Sequence, residues 1–343
     1  MNTQHGRFQL EQTYLLLTRK CNLSCSHCIR SSTPYFTEMI DISLAFQIID
    51  ELAFIRKESV MLISGGEPTL HPSFYEIVEK SAKNFKKVVV NTNGLRFSQL
   101  KRVMDFKNVS IQISLDGDEE THNGIRGEGT FKKTLININK LFELGINVTI
   151  ASTVTKHNIK SFNKLDLALS DVNFLYWNVK RVVGSGRADD KDDVTTTAWN
   201  KFVSKIKHEA ANSRRLRVAP MFSESAIFNA ADIATTAKHS NLSAQNCGTG
   251  RSKLYINPNG TVYPCACMEE KITGDFKVDT TDEILNRLSV LPILPKLEAT
   301  CHTCPVWELC HGGCPGASSR ARFPTLGDPR CSSALKSIIH YEI

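Results

Sequence analysis

The chain has 343 residues, of which 41% are hydrophobic and 22% are charged, a composition typical of a globular protein. Its length allows one barrel-sized domain and a smaller one. It contains no run of 18 apolar residues, and the segment from Met1 to Gln12 lacks the apolar core of a signal peptide. These features argue against a membrane-bound protein and favour a cytoplasmic one.

The eleven cysteines favour bound metal, because cytosolic thiols stay reduced and rarely form disulfides. The formal net charge is +7. If all the thiolates held three clusters of about +2 each, the net charge would fall to about +2. The basic excess therefore gives no reason to expect a nucleic-acid partner.

Short β-rich runs alternate with amphipathic stretches from Tyr14 to about Val183, as in βα units around a parallel sheet. The predicted strands are Tyr14–Thr18, Val60–Ser64, Lys87–Asn91, Val109–Ser114, Asn147–Val154 and Phe174–Val179. The predicted helices are Ser43–Arg56, Ser73–Asn84, Phe97–Met104, Thr130–Leu144, Ile159–Ser170 and Thr195–Ala211. Six units are two short of a closed barrel, so we predict an α/β fold with a partial (β/α)6 TIM-like barrel that is open on one side.

The character of the sequence changes at about Asn246, where loops rich in Cys, Pro and Gly replace the periodic pattern. Such a segment cannot build a large core, and metal clusters would supply its cross-links. We therefore predict three regions: an N-terminal extension (1–12), the partial barrel (13–220), and a linker with a C-terminal cysteine-rich iron–sulfur domain (221–343).

Two motifs follow the first two predicted strands. Cys21, Cys25 and Cys28 form a C-x3-C-x2-C triplet, which can hold three irons of a four-iron cluster and leave the fourth iron open. A zinc knuckle is the alternative for the triplet alone. After the second strand, Gly65 and Gly66 permit close backbone approach, and the carboxylate of Glu67 can receive an ammonium group.

With these motifs the chain resembles the radical S-adenosylmethionine (SAM) superfamily. The resemblance implies that the open iron chelates SAM and that one electron then releases a 5′-deoxyadenosyl radical. It also implies that Ser114, in Ser-Leu-Asp-Gly at the end of the fourth strand, contacts the ribose, and that His27 lies near the adenine. Asn91, Asp116 and Arg126 are further candidates for the SAM site. A turn residue is the alternative for Asp116, and a solvent-facing side chain is the alternative for His27.

The other eight cysteines are Cys247, Cys265, Cys267, Cys301, Cys304, Cys310, Cys314 and Cys331. All but Cys267 are similar in spacing to the SPASM pattern of radical SAM enzymes, which implies two auxiliary [4Fe-4S] clusters and three clusters in total. By this resemblance, the first auxiliary cluster is held by Cys247, Cys265 and Cys314. The second is held by Cys301, Cys304, Cys310 and Cys331. Zinc ribbons are the alternative, although only Cys301 and Cys304 form a C-x2-C pair.

Cys267 has no assigned place in that pattern. On a strand, Cys265 and Cys267 would point to the same face, so Cys267 is a candidate fourth ligand, or a catalytic thiol that donates hydrogen. A buried, inert cysteine is the alternative. Ala266 stands where sulfatase-maturing members commonly have a catalytic Asp, which argues against that activity.

The resemblance implies a radical SAM oxidoreductase that matures peptides. Auxiliary clusters can accept an electron, so oxidative side-chain cross-linking in a ribosomally made peptide is the leading hypothesis. The alternatives are peptide epimerisation, side-chain modification of a haem-pathway tetrapyrrole, and a non-enzymatic iron–sulfur scaffold. The expected partners are a peptide substrate, a separate leader-binding protein, and a flavodoxin- or ferredoxin-type reductant, with neither nucleic acid nor membrane.

Overall fold

The computed structural model describes residues 8–212, 215–218, 248–290, 312–320 and 327–331. The predicted domain boundary near residue 220 lies outside the described residues, as do Cys247, Cys301, Cys304 and Cys310. Within the described ranges, no helix has the length and apolar character needed to cross a membrane.

The described strands form one continuous sheet. They are β1 (Gln12–Leu16), β2 (Val60–Ser64), β3 (Lys87–Thr92), β4 (Val109–Ser114), β5 (Asn147–Val154), β6 (Trp177–Arg181), β7 (Leu216–Arg217), β8 (Lys253–Ile256), β9 (Thr261–Tyr263) and β10 (Gly274–Asp275). Strands β1 to β7 are parallel neighbours in chain order. The predicted α/β partial barrel is therefore confirmed, and a short seventh strand extends it.

The C-terminal region continues the barrel sheet, which the sequence did not indicate. Strand β8 pairs in parallel with β1, with Tyr255 opposite Tyr14. Strand β9 returns antiparallel to β8, and β10 pairs antiparallel with β9. This addition covers the first edge of the barrel, whose backbone groups would otherwise lack ladder partners.

Helices alternate with the strands. They are α1 (Ile42–Arg56), α2 (Phe74–Asn84), α3 (Phe97–Leu100), α4 (Glu119–Arg126), α5 (Thr130–Glu143), α6 (Phe162–Ala168), α7 (Thr196–Glu209), α8 (Thr281–Val290) and α9 (Pro315–Ser318). The Asp41 side chain caps α1 by accepting from the amides of Ser43 and Leu44. Helix α4 was not predicted; it begins where Asp118 accepts from the amide of Thr121 at 3.1 Å.

The two faces of the barrel sheet differ in polarity. Alternate residues of β2 to β6 face the helices and are buried in one apolar core, among them Met61, Ile63, Val88, Val90, Ile111, Ile113, Val148, Ile150, Trp177 and Val179. The intervening residues near the carboxyl ends of the strands face the lumen, and several are polar and half-buried: Ser64, Asn91, Gln112, Ser114, Thr153 and Asn178. A closed barrel fills this space with branched apolar side chains. The polar lumen of the open barrel instead leaves polar groups accessible to a ligand.

Candidate active site

Residues 19–33, here named the cluster loop, follow β1 and carry the cysteine triplet. Cys21 and Cys25 are buried and Cys28 is half-buried. The loop is closed by backbone hydrogen bonds from the amide of Cys28 to the carbonyl of Cys25 and from the amide of Cys21 to the carbonyl of Thr33, at 3.2 and 3.0 Å. The three predicted ligands are thus held on one short, folded segment.

The environment of these thiols fits an iron–sulfur cluster. Burial raises the pKa of Cys21 to about 12, and burial also raises the pKa of Cys25, with neighbouring thiolates adding to both effects. Bound iron would offset the free-energy cost of ionising these buried, neighbouring thiols, because thiolates are the soft ligands that such clusters use. Across the described residues, no three Cys, His, Asp or Glu side chains form a site for a single metal ion. A four-iron cluster makes a different demand, because each thiolate binds its own iron.

The glycines after β2 pack against the entrance to the cluster loop. The amide of Gly66 donates to the carbonyl of Thr18 at 2.7 Å, and the amide of Glu67 donates to that of Lys20 at 2.9 Å. Gly65 has a φ of +144°, and a β-carbon there would lie 2.5 Å from the Thr18 carbonyl oxygen. A β-carbon on Gly66 would clash with the backbone of Lys20. Both positions therefore require glycine for backbone approach.

We expect Gly66→Ala to displace the cluster loop and to cost roughly 1–3 kcal/mol of stability, because the clashing atoms belong to the backbone. Urea unfolding and iron content after anaerobic reconstitution measure the two effects. Gly124→Ala is the matched control, since nothing lies within 4 Å of a β-carbon there and the residue is helical. Equal losses in the two variants would contradict the role given to Gly66.

Glu67 is fully buried and joins the glycine turn to the end of β3. Its Oε1 accepts from the hydroxyls of Thr69 and Thr92, and its Oε2 accepts from the amide of Asn93 at 2.8 Å. Burial raises the pKa of this carboxyl, and none of the described cationic side chains pairs with it. A buried carboxylate with hydrogen bonds but no cation fits the predicted receipt of an ammonium group.

Asp116, just beyond β4, is the centre of a buried charged cluster. Its carboxylate accepts from Arg126 Nε at 2.6 Å, from the amide of Thr153 at 2.7 Å, and pairs with His27 Nε2 at 2.9 Å. Burial alone would raise the pKa of Asp116, but Arg126 and His27 outweigh it and hold the pKa far below its usual range. Asp116 is thus a structural anion, and Arg126 extends from it to within 3.9 Å of Cys25 Sγ.

His27 is nearly buried rather than solvent-facing, with 7% of its side chain exposed. Since Asp116 accepts from Nε2, the other ring nitrogen, Nδ1, is a hydrogen-bond acceptor in the neutral imidazole. That nitrogen is buried and has no partner among the described residues. A buried ring nitrogen without a described partner, beside the cluster loop, fits a polar ligand atom, and in the neutral imidazole it would accept from an amino group such as that of adenine. Next to this pair, burial lowers the pKa of His122 to about 4, so His122 is neutral at pH 7.

Arg187, which was not predicted as a site residue, also contacts the cluster loop. Its guanidinium donates to the carbonyls of Cys25 and Ser32 at 2.8 and 2.9 Å. Gly186, with φ of +66°, brings the backbone so close that a β-carbon would clash with the carbonyl of Cys28. This segment therefore clamps the cluster loop from the far side of the barrel.

The lumen holds a ladder of side-chain amides below the cluster loop. Asn178 Nδ2 donates to Gln112 Oε1, and Gln112 Nε2 donates to Asn91 Oδ1, each at 2.9 Å. Asn91, a predicted SAM contact, is thus part of this ladder. Ser114 lies at the end of β4 on the same face, one inward position beyond Gln112.

The position predicted for Cys265 and Cys267 was wrong in one respect. They do not lie on a strand, because β9 ends at Tyr263, before Pro264, which cannot donate to a ladder. They occupy a turn closed by the amide of Met268 donating to the carbonyl of Cys265 at 2.9 Å. Even so, both thiols meet at Gly316, where an added β-carbon would lie 3.3 Å from Cys267 Sγ and 3.6 Å from Cys265 Sγ.

The two thiols are buried and share a hydrogen bond, which lowers the pKa of Cys265 and raises that of Cys267. Cys314, just before α9, is close enough for its charge to add to the rise at Cys267. The amide of Cys314 donates to Asp328 Oδ2 at 2.9 Å, and the amide of Cys331 donates to the carbonyl of Asp328 at 2.9 Å. Asp328 thus ties the two half-buried cysteines of the C-terminal segments together.

A family model described as the Radical SAM superfamily matches residues 15–166, and one described as the SPASM iron–sulfur cluster-binding domain matches residues 247–305. The mycofactocin maturase MftC of Mycobacterium ulcerans is 30% identical over 92% of this chain and 86% of its own length.

Two further relatives and one solved structure extend the comparison. The subtilosin biosynthesis protein AlbA of Bacillus subtilis is 28% identical over 87% of this chain, which spans only 65% of AlbA. The AdoMet-dependent heme synthase of Methanosarcina barkeri is 26% identical over 86% of this chain and 88% of its own length. Streptococcus suis SuiB, solved with its precursor peptide SuiA, superimposes with a TM-score of 0.76 at 16% identity, covering 96% of this chain and 77% of SuiB. That last likeness concerns the fold alone.

Proposed function

This chain belongs to the radical SAM superfamily and carries a SPASM domain, and from that premise we propose that it is an enzyme that modifies a peptide with SAM and iron–sulfur clusters. The relatives support this class, because MftC is a maturase and AlbA takes part in the biosynthesis of a bacteriocin. Within it, we assign the reaction to oxidative cross-linking of side chains.

The residues of the cluster loop suit the assigned cofactor roles. Cys21, Cys25 and Cys28 would hold a [4Fe-4S] cluster, which with bound SAM supplies a 5′-deoxyadenosyl radical for hydrogen abstraction. Glu67 would receive the ammonium of SAM, to which it offers a buried carboxylate without a cation. The unpartnered Nδ1 of His27 would accept from the adenine amine, and Ser114 would contact the ribose.

The polar lumen is the observation that carries the choice of a peptide substrate. The ladder of Asn91, Gln112 and Asn178 presents half-buried amide groups below the cluster loop. Side-chain amides match the donors and acceptors of peptide groups, so this lining lets a peptide be held without leaving its polar groups unpaired. A tetrapyrrole is the second candidate, favoured by the heme synthase relative and by the exposed Lys180 of β6, which suits a carboxylate.

Cross-linking rests on the C-terminal cysteines. The buried Cys265 and Cys267, with Cys314 nearby, would hold part of an auxiliary cluster that accepts an electron, and a second auxiliary cluster would use the remaining SPASM cysteines. Joining two side chains removes two hydrogens from the peptide. One leaves as a hydrogen atom, which the 5′-deoxyadenosyl radical takes. The other leaves as a proton, and the remaining electron must pass to an acceptor. Epimerisation needs no such acceptor. A flavodoxin- or ferredoxin-type reductant and a separate leader-binding protein complete the proposed partners.

Mass spectrometry of a precursor peptide encoded beside the gene, after co-expression with this chain, tests the proposal. We expect the peptide to lose two hydrogens in the presence of the wild-type protein and to stay unmodified with Cys25→Ala. A mass that is unchanged in H2O but shows the gain of one deuterium in D2O would replace cross-linking by epimerisation. An unmodified peptide, with turnover of a tetrapyrrole instead, would favour the second candidate.

A further inference from the structure

The cluster loop and the turn that carries Cys265 and Cys267 are joined by a salt bridge between residues far apart in the chain. Glu269 Oε1 pairs with Arg19 Nη1, and Glu269 Oε2 lies 3.5 Å from Arg30 Nη1. Asn257 Nδ2 donates to Glu269 Oε1 at 3.0 Å. Arg19 Nη2 also donates to the carbonyl of Arg30 at 3.2 Å, so the two arginines are fixed to each other.

Arg30 is held on its other side by aromatic rings. Its guanidinium lies 5.1 Å from the ring centre of Tyr263 and 5.7 Å from that of Tyr255. Tyr255 stacks on Tyr14 of β1 at 4.2 Å. The Tyr263 hydroxyl donates to Asn257 Oδ1 at 3.2 Å, which closes the contact back to the partner of Glu269.

The placement of this group in the chain links both cysteine sites. Arg30 follows Cys28 by two residues, Tyr263 precedes Cys265 by two, and Glu269 follows Cys267 by two. Arg30 is 7% exposed, and a cation so buried needs a paired anion. Glu269 is the anion that the structure offers to both Arg19 and Arg30.

We propose that Glu269 is a positioning residue that fixes the auxiliary-cluster turn (261–271) on the cluster loop by holding Arg30 between them, and that this ion pair sets the local charge beside Cys265. The inference rests on the proposed auxiliary cluster and goes beyond it by naming what couples the two sites. The contact is partly buried, with 8% of the Arg30 side chain and 32% of the Glu269 side chain exposed, so salt screens it less than it screens a fully exposed pair.

Hydrogen exchange of the reconstituted holoprotein tests the positioning role. In Glu269→Gln we expect exchange to rise roughly fivefold in both 19–33 and 261–271, because the lost contact holds the two segments together. The control is Glu270→Gln, the same change at the neighbouring exposed position, for which no ion pair occurs among the described residues. A rise confined to one segment, or an equal rise in the control, would overturn the proposal.

The reduction potentials of the auxiliary clusters test whether the ion pair of Glu269 and Arg30 sets the charge beside Cys265. Glu269→Gln removes a negative charge and should raise the potential of the cluster that Cys265 ligates, whereas Arg30→Gln removes a positive charge and should lower it. If the substitutions acted only by loosening the contact between the two segments, the potential would shift in the same direction in both variants, and that result would refute the role of charge. Arg30→Lys keeps the charge and should stay close to the wild type even if Arg30→Gln assembles poorly. Should the wild type hold no auxiliary cluster, the proposed function fails, and the exchange measurements still decide the positioning role.

Discussion

Cys25→Ala is expected to lower the rate of 5′-deoxyadenosine formation from SAM and dithionite by at least roughly a thousandfold. Cys25 is one of only three thiols on the cluster loop, and its loss leaves two protein ligands for a cluster that needs three. Arg126, 3.9 Å from Cys25 Sγ, would also lose the anion it faces at that end. Anaerobic reconstitution followed by chromatography of the nucleoside product measures the effect.

Ser24→Ala is the control for Cys25→Ala. Ser24 is exposed on the same loop, next to Cys25, and its loss should leave SAM cleavage and iron content unchanged. Persistent cleavage in Cys25→Ala, or zinc in place of iron in the wild type, would contradict the assignment of the triplet. Either result would remove the basis for a radical mechanism in this chain.

The parts of the fold that follow from local sequence were predicted well. Val60–Ser64, Val109–Ser114 and Asn147–Val154 have the bounds predicted for them, because each combines β-branched residues with a polar or glycine-rich end. The sixth barrel strand was placed too early, beginning at Phe174 instead of Trp177. The charged pair Lys180 and Arg181 hid its true end. Arg181 lies on the same face of the strand as Val179, where its guanidinium pairs with Asp193 at 2.7 Å.

Contacts between segments far apart in the chain could not be predicted from the sequence. Nothing local marks Lys253–Ile256 as the neighbour of β1, more than 200 residues earlier in the chain. The receipt of an ammonium group by Glu67 stays a prediction, and no local motif specifies the hydroxyls of Thr69 and Thr92 that donate to its carboxylate. Arg187 and Glu269 were missed for the same reason, because their partners lie in distant segments.

The cluster around Asp116 is where charge and burial are concentrated most strongly beside the cluster loop. Asp116 has no exposed surface, and each of its described carboxylate contacts is a donor from Arg126, Thr153 or His27. An amide in its place would point an N–H group at donors and leave the Arg126 guanidinium without its anion. The arrangement therefore depends on the carboxylate and not on shape alone.

We expect Asp116→Asn to destabilise the protein by roughly 3–5 kcal/mol, because it leaves a buried cation unpaired. The stabilisation from Asp116 is present above the unfolded pKa of about 3.9 and is lost only as the pH falls below it, because the folded pKa is lower still. Urea unfolding at pH 7 therefore measures the full effect, and SAM cleavage should fall with it because Arg126 is no longer held beside Cys25.

Asp118→Asn makes the same chemical change two residues away and serves as the comparison. Asp118 caps α4, a position at which asparagine is equally suitable, and its ion pair with Lys164 at 3.3 Å involves an exposed lysine. We expect this variant to stay within about 0.5 kcal/mol of the wild type. If the two variants unfold at the same urea concentration, the stability of the cluster loop does not depend on the charge of Asp116, and His27 must be oriented by other contacts.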